Sequence, residues 1–250
     1  MVLFLSDIHF GQSDPAAERA KEADLIACLR AHEAEVERLY LVGDVFDEYI
    51  EYRTLVPKGC VRFLGLLAAW ADRGVAITYL VGNHDPWHRD YFARELGVRV
   101  VFDPIVERLQ ERTVYLAHGD GPGSSRAYRL LKPVLRHPAP VWLYRTLLPA
   151  DSGLRLARWY NRRFGNEDMA EPAADALRRH ARRVLAETPA DAVVMGHSHL
   201  PERRDWPEGC YLNTGSWHES RTFGRLYKSE LQLLRWNGTF STELNSGFER

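Results

Sequence analysis

Short runs of β-branched and aromatic residues alternate along this chain with longer stretches of helical periodicity. Residues 2–6, 38–42, 76–81, 113–117 and 192–195 read as buried strands, each an almost continuous apolar run of strand length. Between the first two, residues 15–37 place Leu25, Leu29 and Val36 along one helical face. Residues 61–72 predict a second helix, stopped by Gly74. This alternation is the pattern of a layered α/β fold. From Cys210 the pattern changes, and residues 210–212, 222–227, 230–236 and 239–244 predict a strand-rich closing section with a turn at Asn237-Gly238. The stretch between His118 and Asp191 is too long for a simple connection. Pro133, Pro138, Pro140 and Pro149 divide it into short helices, which predicts an inserted helical cap at about residues 122–168.

A polar, metal-competent residue follows each of the five buried runs almost at once. Asp7 and His9 follow the first, Gly43-Asp44 the second, Gly82-Asn83-His84-Asp85 the third, His118 the fourth and Gly196-His197-Ser198-His199 the fifth. Ligands of open α/β sheets bind beyond the carboxyl ends of strands, so the five loops are expected to converge. Two neighbouring divalent cations need hard oxygen and imidazole donors and a carboxylate able to bridge them. Asp44, after a glycine that lets the backbone turn sharply, is the natural bridge. Asn83 offers an amide oxygen, His118 and His197 offer imidazoles, and His199 returns to the ion gripped by Asp7 and His9. Any one of these motifs alone is a turn or a cap more often than a ligand. Five of the ten histidines fall in them, which coincidence does not explain. His32, His137 and His180 lie in helical or proline-rich stretches and read as packing or solvated residues; His88 and His218 sit beside motifs, and both readings stay open.

Composition narrows the class without naming a chemistry. With 250 residues, 45% hydrophobic and 27% charged, the chain suits one folded domain over residues 1–250 and excludes disorder and fibrous classes. A formal charge of -1 hides an uneven distribution: residues 121–165 carry nine basic side chains and one acidic one, Asp151. Cys28, Cys60 and Cys210 are too far apart for a zinc or disulfide framework, which suits a reducing cytoplasm. The chain enters its first strand with no basic leader, and no apolar stretch reaches bilayer-spanning length, so membrane contact is expected to be peripheral. Trp142, Leu143, Tyr144, Trp159 and Tyr160 interleave with arginines at 141–164, as for a surface meeting acyl chains and anionic head groups. A helical hairpin with its apolar face on the core and its arginines in water fits that pattern equally well.

The motif series D-x-H, G-D-x-x-D, G-N-H-D, a lone H and G-H-x-H resembles that of the calcineurin-like metallophosphoesterases, with all five motifs intact at Asp7/His9, Gly43-Asp44 to Asp47, Gly82 to Asp85, His118 and Gly196 to His199. The resemblance implies a layered β-sandwich flanked by helices and two divalent ions, with Mn2+ expected. Asp7, His9, Asp44 and His199 would hold one ion, and Asp44, Asn83, His118 and His197 the other. His84, paired with Asp85 or Asp47, would stabilise charge or protonate the leaving oxygen. The similarity extends to the UDP-2,3-diacylglucosamine diphosphatase family. It is carried by His118-Gly119-Asp120 with the basic helical insert and by residues 212–218, while Val56-Pro57-Lys58-Gly59 and Arg62-Phe63-Leu64-Gly65 look like its Bacteroidetes-type branch. His84 departs from the arginine of the proteobacterial branch. That family implies hydrolysis of UDP-2,3-diacylglucosamine to UMP and 2,3-diacylglucosamine 1-phosphate for lipid A synthesis, by a hydroxide held between the ions. It also implies substrate contacts from Arg126, Tyr128, Arg129 and Lys132, and peripheral attachment to the cytoplasmic face of the inner membrane. The alternatives are a phosphodiesterase or phosphatase of a soluble nucleotide or phosphoprotein, or a nuclease; no nucleic-acid module is present, and no nucleic-acid partner is expected.

Overall fold

The computed structural model describes residues 1–124, 126–164 and 170–244. The chain begins with β1 (Val2–Leu5), α1 (Pro15–Ala31), β2 (Arg38–Val42), α2 (Val61–Asp72) and β3 (Ala76–Leu80). Next come α3 (Tyr91–Glu95), β4 (Arg99–Val101), β5 (Ile105–Leu109) and β6 (Arg112–Leu116). Four helices follow: α4 (Arg126–Arg136), α5 (Pro138–Leu147), α6 (Ala150–Phe164) and α7 (Ala170–Glu187). The last part holds β7 (Ala192–Met195), β8 (Glu202–Trp206), β9 (Gly209–Asn213), α8 (Trp217–Ser220), β10 (Thr222–Tyr227), β11 (Glu230–Trp236) and β12 (Ser241–Glu243).

One sheet runs β12-β11-β10-β1-β2-β3-β4 and the other β5-β6-β7-β9-β8. β1 to β4 are parallel in the first, and β6, β7 and β9 in the second. Alternation along the strands makes three apolar layers. Val2, Phe4, Tyr40 and Val42 face Leu116, Val194 and Leu212 across the sandwich. Leu3, Leu5, Leu41 and Tyr79 turn outward onto Leu25 and Leu29 of α1 and Phe63, Leu67 and Trp70 of α2. Val193 and Tyr211 cover the other outer face with Leu177 and Leu185 of α7. The architecture is therefore helix, sheet, sheet, helix: layered α/β as the alternation predicts, and a β-sandwich flanked by helices as the resemblance implies. Asp14 starts α1 by accepting from the amides of Ala16 and Ala17.

Differences from the sequence reading have local causes. α1 stops at Ala31, and residues 32–36 turn before β2; Val36 is buried all the same. β4, β5 and β8 were not foreseen, since each is short or polar and takes its order from its sheet partner. Pro138 sits in the first turn of α5, where a missing N–H costs nothing, whereas Pro133 lies inside α4 without ending it. The Asn237 side chain builds the turn into β12 by accepting from the amides of Thr239 and Phe240. Of the 122–168 stretch expected to form the cap, residues 125 and 165–168 lie outside the described residues.

Candidate metal centre

The loops after β1, β2, β3, β6 and β7 meet at one edge of the sandwich, stitched by their own backbones. Asp7 N donates to Gly43 O at 3.1 Å, Ile8 N to Asp44 O at 2.9 Å, and Gly196 N to His118 O at 3.1 Å. Five candidate ligands, Asp7, His9, Asp44, His197 and His199, hold positive φ between 50° and 70°. Such conformations are costly for residues with a Cβ and persist where the surroundings over-determine them, typically at functional sites. The motif glycines show why no side chain fits between the loops. A Cβ on Gly43 would lie 2.5 Å from His118 Cγ, and one on Gly196 2.5 Å from Asp7 Oδ2.

Each key aspartate divides its two oxygens between framework and cleft. Asp7 Oδ2 accepts from the Ser6 hydroxyl and from His197 N at 3.0 Å. Its Oδ1 is buried with no hydrogen-bond partner and faces His199 Nε2 at 3.3 Å and His9 Nε2 at 3.9 Å. Those two nitrogens are 3.3 Å apart. The opposite nitrogen of each ring is already committed, His9 Nδ1 to Asp47 Oδ1 at 3.3 Å and His199 Nδ1 to Glu219 Oε1 at 3.0 Å. With the Nδ1–H groups donated outward, both Nε2 atoms and the Asp7 oxygen converge on one point, where a cation can take the place of the protons they share.

A second convergence lies beside it. His118 Nδ1 donates to Val42 O at 2.8 Å, leaving Nε2 against Asp44 Oδ2 at 3.0 Å and Asn83 Oδ1 at 3.1 Å. Asp44 Oδ1 meanwhile accepts from His84 N at 2.9 Å. His197 completes the group; its Nε2 meets Ser124 Oγ at 3.1 Å, so Nδ1 is the nitrogen left for a cation. Asp7, His9 and His199 thus form one potential ligand group, and Asp44, His118 and His197 another. Asp44 belongs at this distance to the second group only, and its bridging role stays an expectation. All seven predicted ligands are brought to the one edge. The residues fit divalent cations: hard oxygens, imidazoles with fixed tautomers and an orphaned carboxylate oxygen.

Charge in the cluster is balanced by protons when no ion is bound. Burial lowers His9, yet Asp47 and Asp7 outweigh it and hold the ring up at about 9. Burial likewise opposes, and Asp44 overcomes, the rise of His118 to about 10; Asp7 and Glu219 do the same for His199, also to about 10. Burial and the neighbouring His118 push His197 down to about 4. The Asp7 carboxyl, despite burial that raises it, is held well below the carboxylate range by His199 and His9.

His84, Asp47 and His9 make a third close group. His84 Nδ1 donates to the Asp47 carbonyl at 2.9 Å and lies 3.7 Å from its carboxylate. Asp47, rather than Asp85, is therefore the partner of His84. Asp85 is fully buried and accepts from Val45 N and Gly82 N, each at 2.8 Å, and from the Tyr79 hydroxyl, so it ties two ligand loops together away from the cleft. Tyr128 and Lys132, expected at the substrate, both reach Asp120 Oδ2, at 3.2 and 2.9 Å. Arg136 joins them at 3.1 Å and donates to Gly82 O at 3.1 Å, pinning α4 beside the third motif. Arg129 is exposed, and the side chain of Arg126 lies outside the described residues. Asp120, Ser6 and Glu219 are contributors that single motifs did not reveal. His88 resolves to a packing residue, boxed by Tyr49, Tyr79 and Phe92, and His218 sits 3.5 Å from Lys21 Nζ. His32 and His137 are bound locally to Cys28 O and Ala139 N, and His180 packs on Tyr115.

The UDP-2,3-diacylglucosamine hydrolase of Porphyromonas gingivalis is 38% identical over 150 residues, 59% of this chain and 57% of that protein. The alignment thus spans little more than half of that relative. The enzymes of that name from Stutzerimonas stutzeri and Pseudomonas savastanoi are 29% and 31% identical, over 82% and 80% of this chain and 84% and 80% of theirs. Among solved structures, Yfce, a phosphoesterase from E. coli, covers 97% of each chain at 17% identity, with a TM-score of 0.49. The profile of the calcineurin-like phosphoesterases matches residues 1–201, from the first motif through the last. By that match the chain belongs to the calcineurin-like phosphoesterase family of metal-dependent hydrolases.

Proposed function

We propose that this protein hydrolyses the diphosphate of UDP-2,3-diacylglucosamine, releasing UMP and 2,3-diacylglucosamine 1-phosphate. The observation that carries the substrate is the stretch α4 to α6. It is tied to the rim of the ligand cluster by Asp120, two residues after His118, yet Leu130, Val134, Trp142, Leu147 and Trp159 stay exposed along it. Arg145 Nη2 donates to Trp87 O at 2.6 Å and Arg158 pairs with Glu48 at 3.2 Å, so part of the basic charge seats these helices and the apolar side chains face outward. That combination suits a cap over an acylated, anionic substrate, and the relatives' names agree with it. The three helices would then also rest on the lipid surface from which the substrate is drawn, making attachment to the inner membrane peripheral. No helix among the described residues is long and apolar enough to cross a membrane.

Asp7, His9, Asp44 and His199 would hold one divalent ion and Asp44, Asn83, His118 and His197 the other, with Mn2+ the expected metal. Bound there, the ions supply a water-derived nucleophile at neutral pH and neutralise charge on the phosphoryl oxygens. The chain's own part is positional. Val42 O and Ser124 Oγ fix the rings of His118 and His197, and Asp47 fixes His9. His84, its Nδ1–H given to the Asp47 carbonyl, keeps Nε2 free to hold or move a proton for the reaction. The new bond forms from water to the phosphorus nearer uridine, and the bond to the bridging oxygen breaks, leaving with the sugar phosphate. Purified protein with Mn2+ should turn over the diacylated UDP-sugar far faster than an aryl phosphodiester or single-stranded DNA. Turnover of the last two alone would sink the lipid assignment. Trp142→Ala combined with Leu147→Ala should reduce sedimentation with anionic vesicles, and unchanged sedimentation would remove the membrane contact.

A further inference from the structure

We propose that Glu219 is the positioning residue of His199 and makes the Asp7 site the tighter of two unequal ion sites; this rests on reading the two clusters as ion sites. The ligands differ in what stands behind them. In the Asp7 group both imidazoles are backed by carboxylates, His199 Nδ1 by Glu219 Oε1 at 3.0 Å and His9 Nδ1 by Asp47 Oδ1 at 3.3 Å. In the other group the backing groups are neutral: the Val42 carbonyl at 2.8 Å for His118 and the Ser124 hydroxyl at 3.1 Å for His197. A carboxylate accepting the outer N–H raises the basicity of the ring and fixes its tautomer, so the doubly backed site is the stronger donor set.

Glu219 matters more than Asp47 because of packing. The side chains of His9 and His118 are 3% and 1% exposed and so enclosed by packing, whereas His199 is 29% exposed. Its Nε2 points at the buried, unpartnered Asp7 Oδ1 and at His9 Nε2 while its other edge is open to solvent. The hydrogen bond to Glu219 is what selects that orientation. Glu219 reaches it from α8, whose start is fixed by Ser216 Oγ, which accepts from Glu219 N and donates to the Asp7 carbonyl. One serine thus places the ligand Asp7 and the residue that orients His199. The Glu219 side chain is 57% exposed, so changing it leaves no buried hole.

Calorimetric titration of Mn2+ into the metal-free full chain tests this, with Glu219→Ala, Glu219→Gln and Asp7→Asn alongside. The wild type should take two ions in separable steps. Asp7→Asn should remove the tighter step. Glu219→Ala should weaken that same step by about 10–100-fold and leave the other within about twofold. Glu219→Gln keeps an acceptor oxygen for Nδ1–H, so it should lose less than Glu219→Ala. Equal weakening of both steps, or no weakening in either Glu219 variant, would overturn the proposal. A wild-type chain that takes fewer than two ions would overturn the reading of the clusters themselves, and the assignment of Glu219 with it.

Discussion

Replacing Gly82 by alanine adds one methyl group at the point where the third motif touches the second. Gly82 does not adopt a positive φ, so the substitution introduces no backbone strain and the effect is steric alone. The added Cβ would lie 2.6 Å from Asp44 N and 2.8 Å from Asp44 Cγ, with a carboxylate oxygen closer still, against an ordinary contact of 3.4 Å or more. Asp44 would have to retreat by roughly 1 Å, and a misplacement of that size at a reacting centre costs on the order of 100-fold in rate. Overpacking of a rigid interior costs about 1–3 kcal/mol, which at this chain length lowers the melting temperature by about 2–4 °C per kcal/mol. Gly65→Ala is the matched control, since its Cβ meets nothing within 4 Å on the exposed side of α2. It should gain about 0.5–1 kcal/mol and keep full activity. Steady-state turnover with Mn2+, Mn2+ affinity and thermal unfolding of both variants make the test. Gly82→Ala with wild-type turnover and affinity would refute the claim that Asp44 is packed to its limit against this glycine.

Metal binding should release protons. His9, His118 and His199 sit near 9 to 10 without an ion and are charged at pH 7.5, but must be neutral as ligands. Mn2+ affinity should therefore climb with pH up to that range, and the apparent binding enthalpy should depend on the buffer's ionisation enthalpy; a zero slope contradicts it. In the metal-free protein the same raised values stabilise the fold fully below the unfolded-state value near 6.5 and cease to do so as pH rises through 9 to 10, so unfolding should become easier there. His84→Ala should lower kcat by about 100-fold or more while two ions still bind; loss of an ion on dialysis would make His84 a ligand instead. Arg136→Ala removes one of the three α4 contacts to Asp120 and the contact to the Gly82 carbonyl, so KM for the acylated substrate should rise more than kcat falls. A purely kcat effect would deny α4 a part in binding.

The parts of the molecule legible in the sequence are those where one physical requirement dominates a short window. Leu39 and Leu41 face the helices while Tyr40 and Val42 face the second sheet, so β2 is buried on both sides and reads as a continuous apolar run. Asp7, Asp44, Asn83, His118, His197 and His199 were legible because each follows such a run directly. β8 was hidden because its residues are only half-buried and its order comes from pairing with β9. Asp120 was written in the sequence beside His118, but its use depends on α4 returning Lys132 and Arg136 to it, a contact that no local pattern encodes.

The division of labour in the aspartates explains why the five motifs were individually weak and jointly strong. A lone Asp after a strand needs only a backbone partner, and both Asp7 and Asp44 have one: Oδ2 of the first takes His197 N, and Oδ1 of the second takes His84 N. The structural reading of each motif is thus half correct, since one oxygen does serve as a loop clamp. It fails at the other oxygen. Asp7 Oδ1 faces Nε2 of His199 and of His9, and Asp44 Oδ2 faces Nε2 of His118, so each meets ring nitrogens and no backbone donor. Clamping alone would not require left-handed φ at five candidate ligands, nor loops so close that Gly43, Gly82 and Gly196 have no room for a methyl group. Those costs are coherent if the clamps serve to hold carboxylates and ring nitrogens together, sharing protons that a cation can displace.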